Sequence, residues 1–274
     1  MSLFNHPRHA RVVSALLALA VPLCGAVAQQ HPTLHVSDRW KECSIQLDPA
    51  LSQRAWRQFT REAGLVAYFR PLTDAQPLGR GHVEASLLQW RTGIDDHTAA
   101  WNDTFVHPND THWLFEDEHG LAFPGLAVRA GVTSRLDVGA YYTQNPDANY
   151  GFVAVQAQYN ALHDARRNWD VAARVSVISL FGPDDVQHRT YGADALVSRR
   201  YRLRSWASIS PYAGVSTYLS QSHETSRVVD LKDELAGGTQ AMIGAAISVS
   251  HVRLGAEFNS ARVNSRSLKV GVGF

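Results

Sequence analysis

Three groups of residues in this 274-residue chain have the side-chain types that do chemistry. The densest is the stretch 94–123, IDDHTAAWNDTFVHPNDTHWLFEDEHGLAF. It holds Asp95, Asp96, His97, Asp103, His107, Asp110, His112, Glu116, Asp117, Glu118 and His119. Histidine and carboxylates together bind divalent metals, and HPNDTH brings His107, Asp110 and His112 close in sequence. No periodic element sets their spacing and no ligand motif is present, so no metal site is assigned and the stretch reads as an acidic surface loop. Its Trp101 and Trp113 are suited to folding that loop back as a constriction. The second group, Ser222-His223-Glu224, has hydrolase residue types. Adjacent side chains point apart, however, and a triad is defined by geometry, so no catalytic residue is assigned. Gly237-Gly238 lacks the strand–loop–helix context of a phosphate cradle, and no cofactor is expected. The third group is dispersed: Glu84, Asp137, Asp194 and Glu257, with Arg129, Arg174, Arg200, Arg253 and Lys269, recur on one parity of alternating segments.

The elements that must position these residues have a period of two. In 124–133, Leu126, Val128, Ala130 and Val132 alternate with Ala127, Arg129, Gly131 and Thr133. In 267–274, SLKVGVGF, Leu268, Val270, Val272 and Phe274 alternate with Ser267, Lys269, Gly271 and Gly273. Ten such runs follow one another from about residue 81 to the end, mostly nine to fourteen residues long. Strands of soluble proteins average ~5–6 residues, whereas a tilted membrane-spanning strand needs about 9–11. The joins alternate as well. Those at 134–135, 164–168, 202–204 and 250–251 are short. Those at 94–123, 145–149, 182–188 and 221–237 are mostly longer, 262–265 being the brief exception. Tyr142, Trp169, Phe181, Tyr191 and Phe274 fall near run ends on the apolar parity, where an interfacial girdle belongs.

Before the alternating region, 49–63 reads as a helix. Asp48 is a capping residue, Pro49 suits the first turn, Gly64 suits the end, and Leu51, Ala55, Trp56, Phe59 and Ala63 make one stripe. Residues 1–28 have a basic start at Arg8 and Arg11, an apolar run, and Ala26-Val27-Ala28, which is the build of a signal peptide cleaved near Ala28. Leu23 is bulky where lipoprotein processing at Cys24 wants a small residue. Cys43 is then the single cysteine of the exported chain, and no intrachain disulfide is expected. The net charge of +1 suggests no nucleic-acid partner.

The alternating strands, the short/long joins, the signal peptide and the terminal SLKVGVGF together resemble the bacterial outer-membrane β-barrel proteins. The resemblance implies that Leu268, Val270, Val272 and Phe274 are the signal read by the outer-membrane assembly machinery. Lys269 or Ser267 stands near where that signal often has a glycine, so the match is partial. It also implies a Gram-negative cell envelope, with outer-membrane lipids, lipopolysaccharide and periplasmic chaperones as partners, and it leaves the oligomeric state open.

The expected fold is all-β: a transmembrane up-and-down antiparallel barrel of ten strands over 81–274, with the loop insert 94–123. Twelve strands is the alternative, LVAYFR (65–70) and part of the insert supplying the extra pair. A segment 29–80 carrying the helix 49–63 is placed in the periplasm or in the lumen. Lumen-facing residues are expected to be Glu84, Arg129, Asp137, Arg174, Asp194, Arg200, Arg253, Glu257 and Lys269. Four acids and five bases nearly neutralise one another in a narrow interior, which suits an ion-paired plug better than an open channel. The expected function is a porin-like passive small-solute pore or a structural barrel with a largely plugged lumen, and no enzyme activity. The alternative is an outer-membrane enzyme or binding protein using rim residues of 94–123 and 221–237.

Overall fold

A computed structural model describes residues 43–106, 121–164 and 166–274. The alternating segments become strands β2 (Val83–Thr92), β4 (Leu121–Gly131), β5 (Leu136–Gln144), β6 (Gly151–Asp164), β7 (Trp169–Phe181), β8 (Val186–Arg199), β10 (Ala207–Glu224), β11 (Glu234–Val249), β12 (Val252–Ser260) and β13 (Ser265–Gly273). Each is antiparallel to its neighbour in sequence, and β13 pairs with β2 through Gly273↔Glu84 to Ser265↔Thr92. Phe274 adds a reciprocal backbone pair with Val83, N–H to O at 2.8 and 3.0 Å. The result is a closed ten-stranded barrel without a free edge, as a strand structure in lipid requires. Twelve strands are not formed, because Leu65 and Val66 complete a helix and residues 67–70 pair with no strand.

The pleat sorts side chains by parity. Leu87, Leu126, Val155, Val175, Val215, Ile243 and Leu268 are exposed on the outside, with Tyr142, Trp169, Tyr191 and Phe274 among the exposed aromatics. A continuous apolar exterior of this extent suits contact with lipid, not water. The opposite parity turns inward and is largely polar.

Two ends can be told apart. The turn end carries the brief connections 132–135, 165–168 and 250–251, and a small strand β9 (Tyr201–Arg204) that folds back on β10. The loop end carries the longer connections 93–120, 145–150 and 225–233, but also two four-residue joins, 261–264 and 182–185; the second is shorter than the 182–188 expected, because β8 begins already at Val186. In the described part of the β2–β4 connection, helix α2 (Ala99–Asn102) precedes strand β3 (Phe105–Val106). β3 pairs with strand β1 (Ser44–Ile45), near the start of the described chain.

Helix α1 (Gln53–Val66) follows β1 and packs against β10 and β11, the longest hairpin of the barrel. It starts later than residue 49 because Asp48 caps a turn instead, its carboxylate accepting from Ala50 N at 2.7 Å. Ser52 is the N-cap, accepting from Ala55 N at 3.3 Å. It ends later than 63 because Gly64 lies inside it. A Cβ on Gly64 would meet Ser220 Cβ at 2.5 Å, so glycine here permits close approach to the wall and does not terminate the helix. Trp56, Phe59 and Ala63 are buried, while Arg54, Arg57 and Arg61 are exposed.

Candidate functional site

The inward parity of the wall does not enclose open space. From α1 the chain continues as residues 67–78 through the lumen toward the turn end, and the wall holds it by hydrogen bonds at every level. Near the middle, the Tyr68 hydroxyl donates to Asp194, which also accepts from Arg174 Nε. Arg70 is 1% exposed and donates to Asn259 Oδ1 at 2.9 Å, to Leu65 O at 2.7 Å and to Tyr68 O at 2.9 Å. Leu72 adopts a left-handed φ of 51°, which kinks the segment under complete burial. Further along, Thr73 donates to Gln158 Oε1 at 3.0 Å, and Ala75 N donates to Ser198 Oγ at 3.1 Å. Asn160 Nδ2 donates to Ala75 O at 2.9 Å. At the turn end Leu78 N donates to Asp137 Oδ2 at 2.9 Å and Arg129 donates to Gln76 O at 2.9 Å. The segment leaves the barrel at Gly79–Gly81, where Gly81 N donates to Gly131 O at 2.9 Å.

The nine inward charges expected from the sequence take the following places. Lys269 Nζ donates to Glu84 Oε1 at 2.7 Å, Arg129 pairs with Asp137, and Arg174 pairs with Asp194. Glu257 accepts from the Tyr212 hydroxyl at 2.8 Å. Arg253 is half-buried and donates to the carbonyls of Ser250 and Val252, and Arg200 is half-buried. Leu268, Val270, Val272 and Phe274 point outward.

The loop end of the lumen is built differently. Trp56 stacks on Phe59 at 5.4 Å, and Phe59 meets Trp101 edge-on at 5.1 Å. Phe105, Tyr150, Phe152, Phe123, Trp90 and Tyr141 continue the cluster. Buried Glu62 ties it together, accepting from Trp101 Nε1 at 2.7 Å, Gln58 Nε2 at 3.1 Å and Arg262 Nε at 3.1 Å. Only a void of about 20 Å³ is left among these rings. On its edge, His188 Nδ1 is 2.9 Å from Ser222 Oγ and His188 Nε2 is 3.1 Å from Thr190 Oγ1. Ser222, His223 and Glu224 diverge, as neighbours on a strand must. Ser222 points in, while His223 pairs with Asp233 in solvent. Of the histidines and acids of 94–123, Asp95 caps a turn by accepting from His97 N at 3.2 Å. The backbone carbonyl of Asp103 accepts from Asp48 N at 2.9 Å. His107, Asp110, His112, Trp113, Glu116, Asp117, Glu118 and His119 lie outside the described residues, as do 1–28. Among the described residues no three His, Cys, Asp or Glu are grouped to hold a metal.

Sequence reasoning missed Tyr68, Arg70, Asp74 and the His188–Ser222 contact. The signal for the first three was LVAYFR followed by two prolines at 71 and 77, a run with neither period, which fits an extended chain touched on all sides. His188 and Ser222 are 34 residues apart and meet only across the β8–β10 ladder.

No family model matches the sequence, and no curated protein matches it. Among solved structures, the chain is similar to the translocator domain of autotransporter NalP from Neisseria meningitidis, at 10% identity and TM-score 0.40, over 70% of this chain and 87% of that one. It is similar to Ail of Yersinia pestis at 10% identity and TM-score 0.32, over 71% and 99%. It is also similar to the outer membrane protease OmpT from Escherichia coli, at 6% identity and TM-score 0.32, over 71% and 96%. At these scores the likenesses carry no argument about mechanism. One expectation is nonetheless corrected: the sequence reading excluded an enzyme, and that exclusion does not stand, because barrels similar to this one include a protease and the low identity leaves enzymatic activity undecided.

Proposed function

We propose that this chain is an outer-membrane barrel whose lumen is closed by its own N-terminal segment, a structural barrel in preference to an open passive pore. Residues 67–78 support this reading: they run through the lumen and hydrogen-bond to Asp194, Asn259, Gln158, Ser198 and Asp137 on four different strands. In this reading the signal peptide is cleaved near Ala28, the terminal Leu268, Val270, Val272 and Phe274 serve the assembly machinery after escort by periplasmic chaperones, and the loop end faces lipopolysaccharide. Single-channel recording in planar bilayers tests it. The full chain inserts silently, and a variant lacking residues 43–78 gives stable conductance steps. Steady steps from the full chain would instead establish the pore.

A second reading is favoured by one observation, the 2.9 Å contact of His188 Nδ1 with Ser222 Oγ at the loop end. A serine activated by a histidine is the start of a nucleophilic site. Ser222 and His188 are both buried and the adjoining void admits about one water, so this activity would need the mouth to open. Labelling of the folded protein by a fluorophosphonate, lost in Ser222→Ala, supports it. An unlabelled protein under conditions that loosen the mouth removes it.

A further inference from the structure

We propose that the turn end of the lumen is a binding site for a small free oxyanion of the phosphate or sulfate class. A cavity of about 120 Å³ lies there between the N-terminal segment and the wall. Four cations line it, Arg129, Arg200, Arg253 and Lys269, against two carboxylates, Asp74 and Glu84. Lys269 is held by Glu84, and Arg129 by Asp137 just outside the lining. With Asp137 included the count is four positive against three negative charges, leaving one positive charge over. Among the described residues neither Arg200 nor Arg253 has a carboxylate within 4.0 Å; Asp74 attracts Arg200 and Glu84 attracts Arg253 only at longer range, so the surplus is shared by these two arginines.

The hydrogen-bond count points the same way. Arg129 Nε and Arg200 Nε are buried and have no acceptor among the described residues. Arg253 gives one nitrogen to the carbonyls of Ser250 and Val252. Guanidinium forks match oxygens set in pairs on one centre, which an oxyanion offers and chloride does not. Water would accept from the orphan N–H groups but would bring no negative charge to offset the surplus. The size limits the ligand to a few heavy atoms. Pro77, Leu78, Arg200 and Arg253 are half-buried, which opens the cavity at the turn end, and the aromatic cluster closes the other route. The ligand therefore enters from the side opposite the loops.

The test uses the full chain folded in nonionic detergent free of phospholipid, with thermal unfolding followed by circular dichroism. Inorganic phosphate or sulfate raises the midpoint saturably, while sodium chloride at equal ionic strength does not. Arg200→Gln weakens the apparent affinity by about tenfold or more, as loss of a charged hydrogen bond should. Arg253→Gln weakens it less, and Arg54→Gln on the exposed face of α1 leaves it unchanged. Heat-modifiable migration in gels confirms that each variant is folded; should Arg200→Gln not fold, Arg253→Gln carries the test. Equal shifts in phosphate and chloride, or an undiminished shift in the variants, would mean an adventitious ion only. A shift produced by added phosphatidylglycerol that free phosphate cannot compete away would assign the cations to a lipid headgroup and overturn the free-anion site.

Discussion

The two ends of the lumen are filled by opposite chemistries. At the loop end, Trp56, Phe59, Trp101, Phe105 and Phe152 pack like the interior of a soluble protein, with Glu62 as one polar tie. Toward the turn end, the pairs Arg174–Asp194, Arg129–Asp137 and Glu84–Lys269 carry the filling, and the N-terminal segment adds backbone hydrogen bonds between them. The same parity of the same strands thus holds rings at one end and charges at the other. The difference has a physical origin. Stability from burial grows with apolar area and tolerates no water, so it suits the end that α1 and the loops can cover. Ion pairs and hydrogen bonds hold an extended strand, whose own peptide groups need partners all along its length.

The largest expected effect separates the ends by access. In a Cys43→Ser background, a cysteine at Ala50, exposed beside α1, reacts fully with a membrane-impermeant maleimide on intact cells. A cysteine at Arg80, exposed at the turn end, does not react until the envelope is opened. Reversal of the pattern would invert the barrel in the membrane.

Next in size is Trp56→Ala. Trp56 is fully buried, so its removal costs about 3–5 kcal/mol, read as a lower denaturant midpoint by tryptophan fluorescence. The loss falls on the mouth, and strand content by circular dichroism is retained at concentrations where the mouth has loosened.

At the other end a single substitution and its double should differ in sign. Lys269→Met leaves Glu84 buried without its cation and costs about 3–5 kcal/mol. Replacing both, with Glu84→Leu and Lys269→Met, brings stability back to within about 1 kcal/mol of the parent or above it. If the double variant is as weak as the single one, these pairs are stabilising in their own right and the two ends are more alike than described.

The smallest effect concerns Asp185, in the β7–β8 loop, which accepts from Leu47 N at 3.1 Å. Partial burial raises its pKa above the usual carboxylate value, and Asp184 and Glu224 add to the rise. A carboxyl with a raised folded-state pKa stabilises below the unfolded value, and that contribution is lost as pH rises through the folded value. Loop-end stability should therefore decline slightly from about pH 4 upward through the mildly acidic range. Asp185→Asn should flatten this response, as read from thermal midpoints of the two proteins at matched ionic strength.

Much of the barrel was legible in the residues. Val128 against Arg129, or Val270 against Lys269, states the face of each side chain, because a strand offers only two. Strand lengths of nine residues and more were legible too, whereas the rhythm of the joins was legible only in part, since 182–185 is as brief as the joins of the opposite end. The helix was legible in kind but placed early, since Asp48 and Gly64 have local roles that resemble capping and were assigned to their environment by Ala50 and Ser220. The segment 67–78 was not legible in any detail. An extended chain touched on every side has no buried face to repeat, so periodicity is silent there.

The amino-acid sequence by itself determined amphipathic strands with apolar groups outward, because parity is a local property of the pleat; that ten strands and not twelve close the barrel was decided by the tertiary structure. Only the tertiary structure decided that the N-terminal segment runs through the lumen, that Tyr68 meets Asp194, and that His188 lies beside Ser222. These contacts join residues far apart in the chain, and nothing local encodes them. They exist because a closed ring of strands leaves inward polar groups that must find partners, and the nearest covalently attached partner is the chain's own beginning.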